Sequence, residues 1–176
     1  MSRVYPDEVA GPYDAPLRSF TDREDRKTEI RRYDGEFEAL AAMYDDFDPE
    51  DRAQGIPPAD EERIREWLET ITADGGVNVL AWHGERVVGH ATLVPDTDDG
   101  PTAYELAIFV LHDYQQAGIG GELIRGLLGA GRAAGVEHVW LTVERWNQPA
   151  VSLYETVGFE PSDTGSFELE MSARLR

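Results

Sequence analysis

The spacing of apolar residues along the chain predicts four helices. In each segment apolar side chains recur three or four positions apart, so that they share one face of a helix. The segments are residues 35–47, 61–71, about 122–134 and 148–157. Asp34 and Asp60 stand just before the first two segments and are predicted N-caps, because their carboxylates can accept from the free amides of a first turn. Pro149 and Gly158 mark the start and the end of the fourth helix.

Between these helices, alternating or continuous apolar runs predict strands. The runs are residues 27–33, 77–82, 87–95, 102–111, 138–143 and 166–175, and a further short strand around Phe159 is left open. Gly84 centres a hairpin signal between the second and third runs. The resulting order, β-α-α-β-β-β-α-β-α-β, predicts a mixed α/β sheet with helices on its faces. It lacks the strict βαβ alternation of a doubly wound fold.

The first 24 residues show no sustained periodicity. They contain Pro6, Pro12 and Pro16 and are predicted to form an extended or disordered N-terminal arm. Residues 25–176 are then one domain, long enough to bury a hydrophobic core. No segment approaches the ~20 apolar residues of a membrane span, and the first residues lack an apolar signal core. We therefore expect a cytoplasmic protein.

The charge balance is strongly acidic. The chain has 16 Lys and Arg residues against 35 Asp and Glu residues, a formal net charge of -19. Such a charge repels nucleic acid, so no nucleic-acid partner is expected. The acidity would attract a cationic substrate, or it adapts a halophilic protein to a salty cytoplasm, where screening relaxes self-repulsion. We favour salt adaptation, because the acidic residues are spread along the whole chain.

Cysteine is absent, which excludes disulfides, a thiolate nucleophile and cysteine-based metal sites. The four histidines show no metal-ligand spacing, so no metal is expected. Gly118, Gly120 and Gly121 cluster where a strand hands over to a helix. Free amides at a helix start and the helix dipole favour an anion there, and glycines allow close approach. The alternative is a tight packing turn. Neither a Walker pattern nor a dinucleotide fingerprint fits these glycines.

Gln115-x-x-Gly118-x-Gly120 resembles the pyrophosphate loop of the GCN5-related N-acetyltransferase (GNAT) superfamily. A second match supports the resemblance: Asn147, then Leu153-Tyr154-Glu155 and Gly158-Phe159 follow the fifth predicted strand in the family's order. The resemblance covers about residues 25–176. It implies an acyl-CoA N-acyltransferase fold, in which a central, mostly antiparallel sheet is splayed between strands 4 and 5 and flanked by about four helices.

The resemblance also implies acetyl-CoA as cosubstrate, with its pantetheine arm between those two strands and its diphosphate on backbone amides. The coenzyme-binding residues that it implies are Phe109, Val110, Gln115, Gln116, Ala117, Gly118, Ile119, Gly120, Gly121, Asn147 and Tyr154. Tyr154 matches the family's general acid, and a phenol held within reach can protonate a leaving thiolate. The other interpretation of Tyr154 is a packed helix residue.

The general base is left open by the sequence. Family members commonly use a carboxylate on a central strand, and Glu105 and Glu144 are the candidates, with a water chain as the alternative. Thr142 stands where some protein N-terminal acetylators carry a glutamate, which weakens assignment to that subgroup. The predicted function is acetyl transfer from acetyl-CoA to a primary amine of a small molecule, protein or peptide, by direct attack in a ternary complex.

Two other functions stay open. One is a non-catalytic CoA-binding regulatory module of the same fold, and the other is an unrelated binder of phosphate esters. The resemblance implies that residues 37–71 and the closing strands select the acceptor amine. Homodimers are common for such folds, but no sequence feature identifies one here.

Overall fold

The computed structural model describes residues 3–52, 56–164 and 167–176, and this part of the chain forms one eight-stranded sheet with four α-helices. The strands are β1 (Arg18–Thr21), β2 (Lys27–Arg32), β3 (Val77–His83), β4 (Arg86–Pro95), β5 (Ala103–Val110), β6 (His138–Glu144), β7 (Glu160–Thr164) and β8 (Glu168–Arg174). The helices are α1 (Phe37–Asp45), α2 (Glu61–Ile71), α3 (Ile119–Ala133) and α4 (Gln148–Thr156). The sheet order is β1-β2-β3-β4-β5-β6-β8-β7.

The sheet is antiparallel except where β5 meets β6. These two parallel strands pair only over Ala103–Glu105 and His138–Trp140, and then separate. The second half of β5 therefore has a strand partner, β4, on one side only. Because an additional strand precedes them, β5 and β6 are the predicted strands 4 and 5. The predicted fold class, including the splay, is confirmed.

The helices cover both faces of the sheet. Gly89 of β4 approaches Leu123 of α3 so closely that an added Cβ would lie 2.7 Å from its Cδ1. The next residue, His90, bonds to Tyr44 of α1. Successive side chains of a strand point to opposite faces, so α1 and α3 lie on opposite sides of the sheet. The apolar stripe of α3, with Leu123, Ile124 and Leu127 wholly buried, anchors that helix to β2–β5.

Two local features differ from the predicted pattern, and a third agrees with it. β1, which pairs with β2, was not expected, because its four residues are mostly exposed and give no apolar alternation. The prediction that Asp34 caps α1 is wrong. The helix begins at Phe37, and Glu36 occupies the N-cap, where its side chain accepts no hydrogen bond from the first turn. The cap at Asp60 is confirmed, because its carboxylate accepts from the Arg63 amide at 2.9 Å.

The described residues of the N-terminal arm lie on both parts of the sheet. Near the start, the Ala10 amide donates to the Arg174 carbonyl of β8 at 2.8 Å. Further on, the Tyr13 hydroxyl donates to the Val157 carbonyl beyond α4 at 3.1 Å, and the backbone of Asp14 packs on α3 at Gly129. The chain then enters β1. The division into an arm of residues 1–24 and a domain of residues 25–176 stays a prediction.

In the described ranges, no helix combines the length and the apolar character needed to cross a membrane.

Candidate active site

A cavity of about 500 Å³ opens where β5 and β6 separate. Both strands, the loop before α3, the first turns of α4 and the segment after α1 line it. The cavity brings together nine residues predicted for the site: Glu105, Phe109, Val110, Gln115, Gln116, Gly120, Glu144, Asn147 and Tyr154. The other four belong to the loop and the start of α3 without lining the described cavity: Ala117, Gly118, Ile119 and Gly121.

The loop before α3 presents a row of free amides. Gln116 and Gly118 both adopt positive φ, 60° and 93°, which turns the backbone sharply into the helix. Gly118 is the N-cap of α3 and offers no side-chain acceptor. Within the described chain, none of the amides from Gln116 to Gly121 donates to another residue. Free amides at a helix start, together with the helix dipole, fit an anion such as a diphosphate.

The three glycines of the loop have different environments. Gly118 adopts a left-handed backbone conformation that favours glycine. A Cβ placed on it would have Arg23 Nε as its nearest neighbour, 4.0 Å away. Gly120 borders the cavity, 3.5 Å from Leu153 when a Cβ is placed on it. At Gly121 the missing Cβ leaves room for the Arg125 guanidinium, whose Nη1 would lie 2.9 Å away.

Gln115 fastens the loop to the neighbouring segments. Its Nε2 donates to the Val110 carbonyl at the end of β5 and to Asp51 Oδ2, both at 3.0 Å. The side-chain amide therefore has two partners on the protein, and a role for Gln115 in contacting a ligand stays a prediction.

Asp48, Asp51 and His112 place potential metal-ligand atoms within 4.8 Å of one another.

Tyr154 of α4 is a buried phenol that faces the cavity. Only 8% of the residue is exposed, and its ring packs against Phe159 with a centroid distance of 5.9 Å. Burial raises the pKa of Tyr154 to about 12, so the hydroxyl keeps its proton at neutral pH. No other group in the described part of the chain bonds to that hydroxyl, and it is free to donate into the cavity.

Glu105 and Glu144 project from the same face of the two diverging strands. Glu105 is in register with Trp140, and Glu144 lies four residues further along β6, so all three side chains point to one side. Burial, and secondarily the charge of Asp96, raises the pKa of Glu105, while Arg3 opposes the shift. A raised pKa makes a carboxylate a stronger base.

Asn147 caps α4 at the edge of the cavity. Its Oδ1 accepts from the Ala150 amide at 3.4 Å. The Nδ2 group has no partner among the described residues and is available as a donor. This capping bond uses the side-chain oxygen and leaves the side-chain donor free for a ligand.

An aromatic cluster behind Phe109 forms the wall of the cavity on the α1 side. Tyr44, Phe47 and Trp67 meet Phe109 edge to face, with centroids 5.7, 6.1 and 5.4 Å away. Such pairs each contribute about 0.5–1.5 kcal/mol beyond their buried area. The cluster holds the β5 strand end against the first two helices.

A buried polar chain supports this wall. The Tyr44 hydroxyl and His90 Nδ1 are 2.7 Å apart, and His90 Nε2 lies 2.7 Å from Asn78 Oδ1. Because Asn78 Nδ2 donates to the Ile71 carbonyl, its Oδ1 must accept from His90 Nε2–H. Nδ1 then accepts from Tyr44. Burial lowers the pKa of His90 to about 3, so the imidazole is neutral at pH 7 and carries its single proton on Nε2.

Several lining residues were not predicted from the sequence. They come from the segment after α1 and from the start of α4: Phe47, Glu50, Asp51, Arg52, Ile56, Trp146, Ala150 and Leu153. Glu50, Asp51, Arg52 and Ile56 fall in a loop with no helical or strand periodicity. Phe47 carried a signal, because it ends the predicted helix of residues 35–47 and follows Tyr44 by three positions on the same helical face.

The acetyltransferase (GNAT) family model matches residues 40–159, more than half of the chain, and the chain therefore belongs to this family. Members of the family use acetyl-CoA, and yncA from Salmonella typhimurium, a similar structure, was solved with its cofactor acetyl-CoA. That structure is 19% identical with a TM-score of 0.68, and the match covers 85% of this chain and 94% of the other.

Other matches agree on the fold. The GNAT domain of S. lividans PAT has a TM-score of 0.75 at 14% identity, over 90% of this chain and 97% of that domain. A ribosomal-protein-alanine N-acetyltransferase from Brucella melitensis is 25% identical with a TM-score of 0.68, over 83% of this chain and 99% of the other. In sequence, the chain is 39% identical to a mycothiol acetyltransferase of Geodermatophilus obscurus over 114 residues. That match covers 60% of this chain and 35% of the relative, so the chain spans about a third of the curated relative's length.

Proposed function

We propose that this protein transfers an acetyl group from acetyl-CoA to a primary amine. One observation carries the proposal: a protonated, unpaired phenol, that of Tyr154, faces the same cavity as two carboxylates and adjoins a loop of free amides. The first group can supply a proton, a carboxylate can remove one, and the amides can hold a diphosphate. An N-acetyltransferase needs all three at one place.

The residues of the gap between the strands fit the coenzyme. Gln116 to Gly121 offer amides for the diphosphate, and the unpaired side of β5 at Phe109 and Val110 offers backbone groups to the pantetheine arm. Asn147 adds a side-chain donor from the opposite wall. We propose that Tyr154 and a carboxylate that line the same cavity act at the reacting end of the coenzyme.

Acetyl-CoA supplies the acetyl group as a thioester, whose carbonyl carbon forms a bond to the amine nitrogen while its bond to sulfur breaks. In our proposal Tyr154 donates its proton to the leaving sulfur. Glu105 takes a proton from the acceptor, because an ammonium group must become an amine before it can attack. The second proton that the nitrogen loses as the amide forms returns to Tyr154, which restores its hydroxyl. The chain has no cysteine to carry the acetyl group, so we propose direct transfer within a ternary complex.

Charge supports a cationic acceptor. The cavity carries four carboxylates against one arginine: Glu50, Asp51, Glu105 and Glu144 face Arg52. An amine that is protonated in solution is attracted to such a surface. The names of two relatives, a mycothiol acetyltransferase and a ribosomal-protein-alanine N-acetyltransferase, support acetyl transfer but differ in acceptor. We therefore propose the amine class and no single compound.

The Tyr154→Phe variant tests the proposal. Thiol release from acetyl-CoA is measured with a panel of amines and peptides, and CoA binding is measured by calorimetry. We expect kcat to fall at least about 100-fold with CoA affinity changed less than twofold, since the ring is kept and only the acid is lost. Unchanged turnover would remove Tyr154 from the chemistry. Binding of CoA without thiol release by the unmodified protein, for any acceptor, would favour the regulatory module instead.

A further inference from the structure

The turn between β1 and β2 docks on the loop that carries the free amides. Asp22, 5% exposed, shapes the turn by accepting from the amides of Glu24 and Arg26, both at 2.9 Å, and from Arg26 Nε at 2.8 Å. Arg26 then donates to the Asp113 carbonyl at 3.1 Å, and its guanidinium lies 4.0 Å from the centre of the Tyr114 ring. The turn is therefore held in one place by buried and stacked contacts.

Arg23, at the tip of this turn, lies beside the amides themselves. Its backbone amide donates to the Ala117 carbonyl at 3.0 Å, and its Nη1 is 3.5 Å from the Gln116 carbonyl. Its Nε is the nearest atom to the open position above Gly118, at 4.0 Å. The guanidinium is exposed and makes no ion pair with any carboxylate in residues 3–52, 56–164 or 167–176.

An unpaired arginine is notable in a chain with 35 carboxylates and 16 basic residues. Most arginines with described contacts pair with a neighbouring acid, as Arg65 does with Glu38 and Arg86 with Asp46. Arg23 keeps its charge available beside a loop whose amides, from Gln116 to Gly121, also lack acceptors among the described residues. A chain of net charge -19 repels a polyanionic coenzyme at long range, and a fixed cation at the entry to the loop offsets that repulsion locally.

We propose that Arg23 completes the anion site by pairing with the diphosphate of CoA, alongside the amides of Gln116 to Gly121. The proposal rests on the proposed use of acetyl-CoA. A guanidinium presents several N–H donors in a fixed fork that matches phosphate oxygens, and charge-assisted bonds of this kind are the strong ones. Arg23 lies outside residues 40–159, so this part of the site comes from a segment that the family model does not include.

Calorimetric binding of CoA and of dephospho-CoA, which lacks the 3′-phosphate but keeps the diphosphate, tests the proposal. The variants are Arg23→Gln, Arg23→Lys and, as a matched control, Arg32→Gln, which removes an exposed, unpaired arginine at the far end of β2. We expect Arg23→Gln to weaken both ligands about tenfold at low salt and to flatten the salt dependence. Arg23→Lys should lose less, and Arg32→Gln should stay within twofold of the unmodified protein.

The outcomes separate this proposal from the proposed function. Equal affinities for Arg23→Gln and Arg32→Gln, with tight binding by the unmodified protein, would overturn the role of Arg23 and leave coenzyme use intact. A loss with CoA but none with dephospho-CoA would also overturn it, because the contact would then be to the 3′-phosphate. No binding of either ligand by the unmodified protein would overturn both proposals. Thermal unfolding without ligand should be unchanged in Arg23→Gln, since the turn is fastened through backbone and Arg26 contacts.

Discussion

Acid should unfold this protein partly through one buried imidazole. His90 is wholly buried between Tyr44 and Asn78, and its pKa is lowered to about 3 by burial. In the unfolded chain the same group titrates near 6.5. Below pH 6.5 the unfolded state therefore binds a proton that the folded state does not. Stability from this group is fully present above pH 6.5 and is lost as the pH falls toward 3.

The size of the effect follows from the two pKa values. Each pH unit between them changes the free energy of unfolding by about 1.4 kcal/mol. Between pH 7 and pH 4.5 the loss from His90 alone is about 2.5 kcal/mol, a large part of the stability of an ordinary domain. We expect this loss of stability to affect the cavity as well, because Tyr44, the partner of His90, packs on Phe109 in the cavity wall.

The His90→Gln variant isolates this contribution. Urea unfolding is measured at several pH values and constant salt for the unmodified protein and the variant. At pH 7 we expect the variant to be less stable by roughly 2 kcal/mol, because its hydrogen bonds to Tyr44 and Asn78 are disturbed. The difference should shrink by about 1.4 kcal/mol per unit below pH 6.5 and vanish near pH 5.

Tyr44→Phe serves as the matched control. It removes the donor to His90 Nδ1 but leaves the imidazole in place, so we expect a loss of about 1 kcal/mol with the unmodified pH dependence. A constant difference between the unmodified protein and His90→Gln, from pH 7 to pH 4.5, would refute the reasoning. It would mean that His90 takes up a proton in the folded state as readily as in the unfolded one.

Two further predictions concern the site. Glu105→Gln should lower kcat about 100-fold and remove the acid limb of the pH–rate profile, because activity rises as Glu105, whose pKa is raised by burial, loses its proton. If Glu144→Gln removes that limb instead, Glu144 is the base. Gly118→Ala should cost about 1–2 kcal/mol in urea unfolding, because an L-residue is strained at φ 93° and no neighbour crowds its Cβ. Gly135→Ala, at φ 95° with open space, should cost the same but leave CoA affinity unchanged, whereas Gly118→Ala should weaken it.

Sequence reasoning succeeded where a signal is local. Asp60 sits three residues before a free amide and one residue before an apolar stripe, and it caps α2 as predicted. Asp34 showed a similar pattern and failed. Gly35 adopts a positive φ of 91°, so the helix begins only at Phe37. The Asp34 amide donates to Glu36 Oε1 at 2.5 Å. When two acidic residues stand this close before a helix, their spacing alone does not show which of them occupies the N-cap.

The candidate site also contains residues that a local motif predicts and residues that only the folded structure reveals. Tyr154 and Asn147 were identified because one motif contains both the start of α4 and its later turn, and both residues line the cavity. Arg23 was not among the predicted site residues, because its contact with Gln116 spans 93 positions of the chain and it follows a short strand with little apolar alternation. Contacts between such distant positions depend on how the whole sheet is assembled, and no short window of sequence contains that information.

The split in the sheet gives residues 3–21 a mechanical role. Only three register pairs join β5 to β6, yet the arm is tied to β8 at Ala10 and to β2 through β1. It thus links the two halves of the sheet away from the β5–β6 pairs. A protein shortened at its front would keep every residue matched by the family model, and we expect its two sheet halves to be held together less firmly.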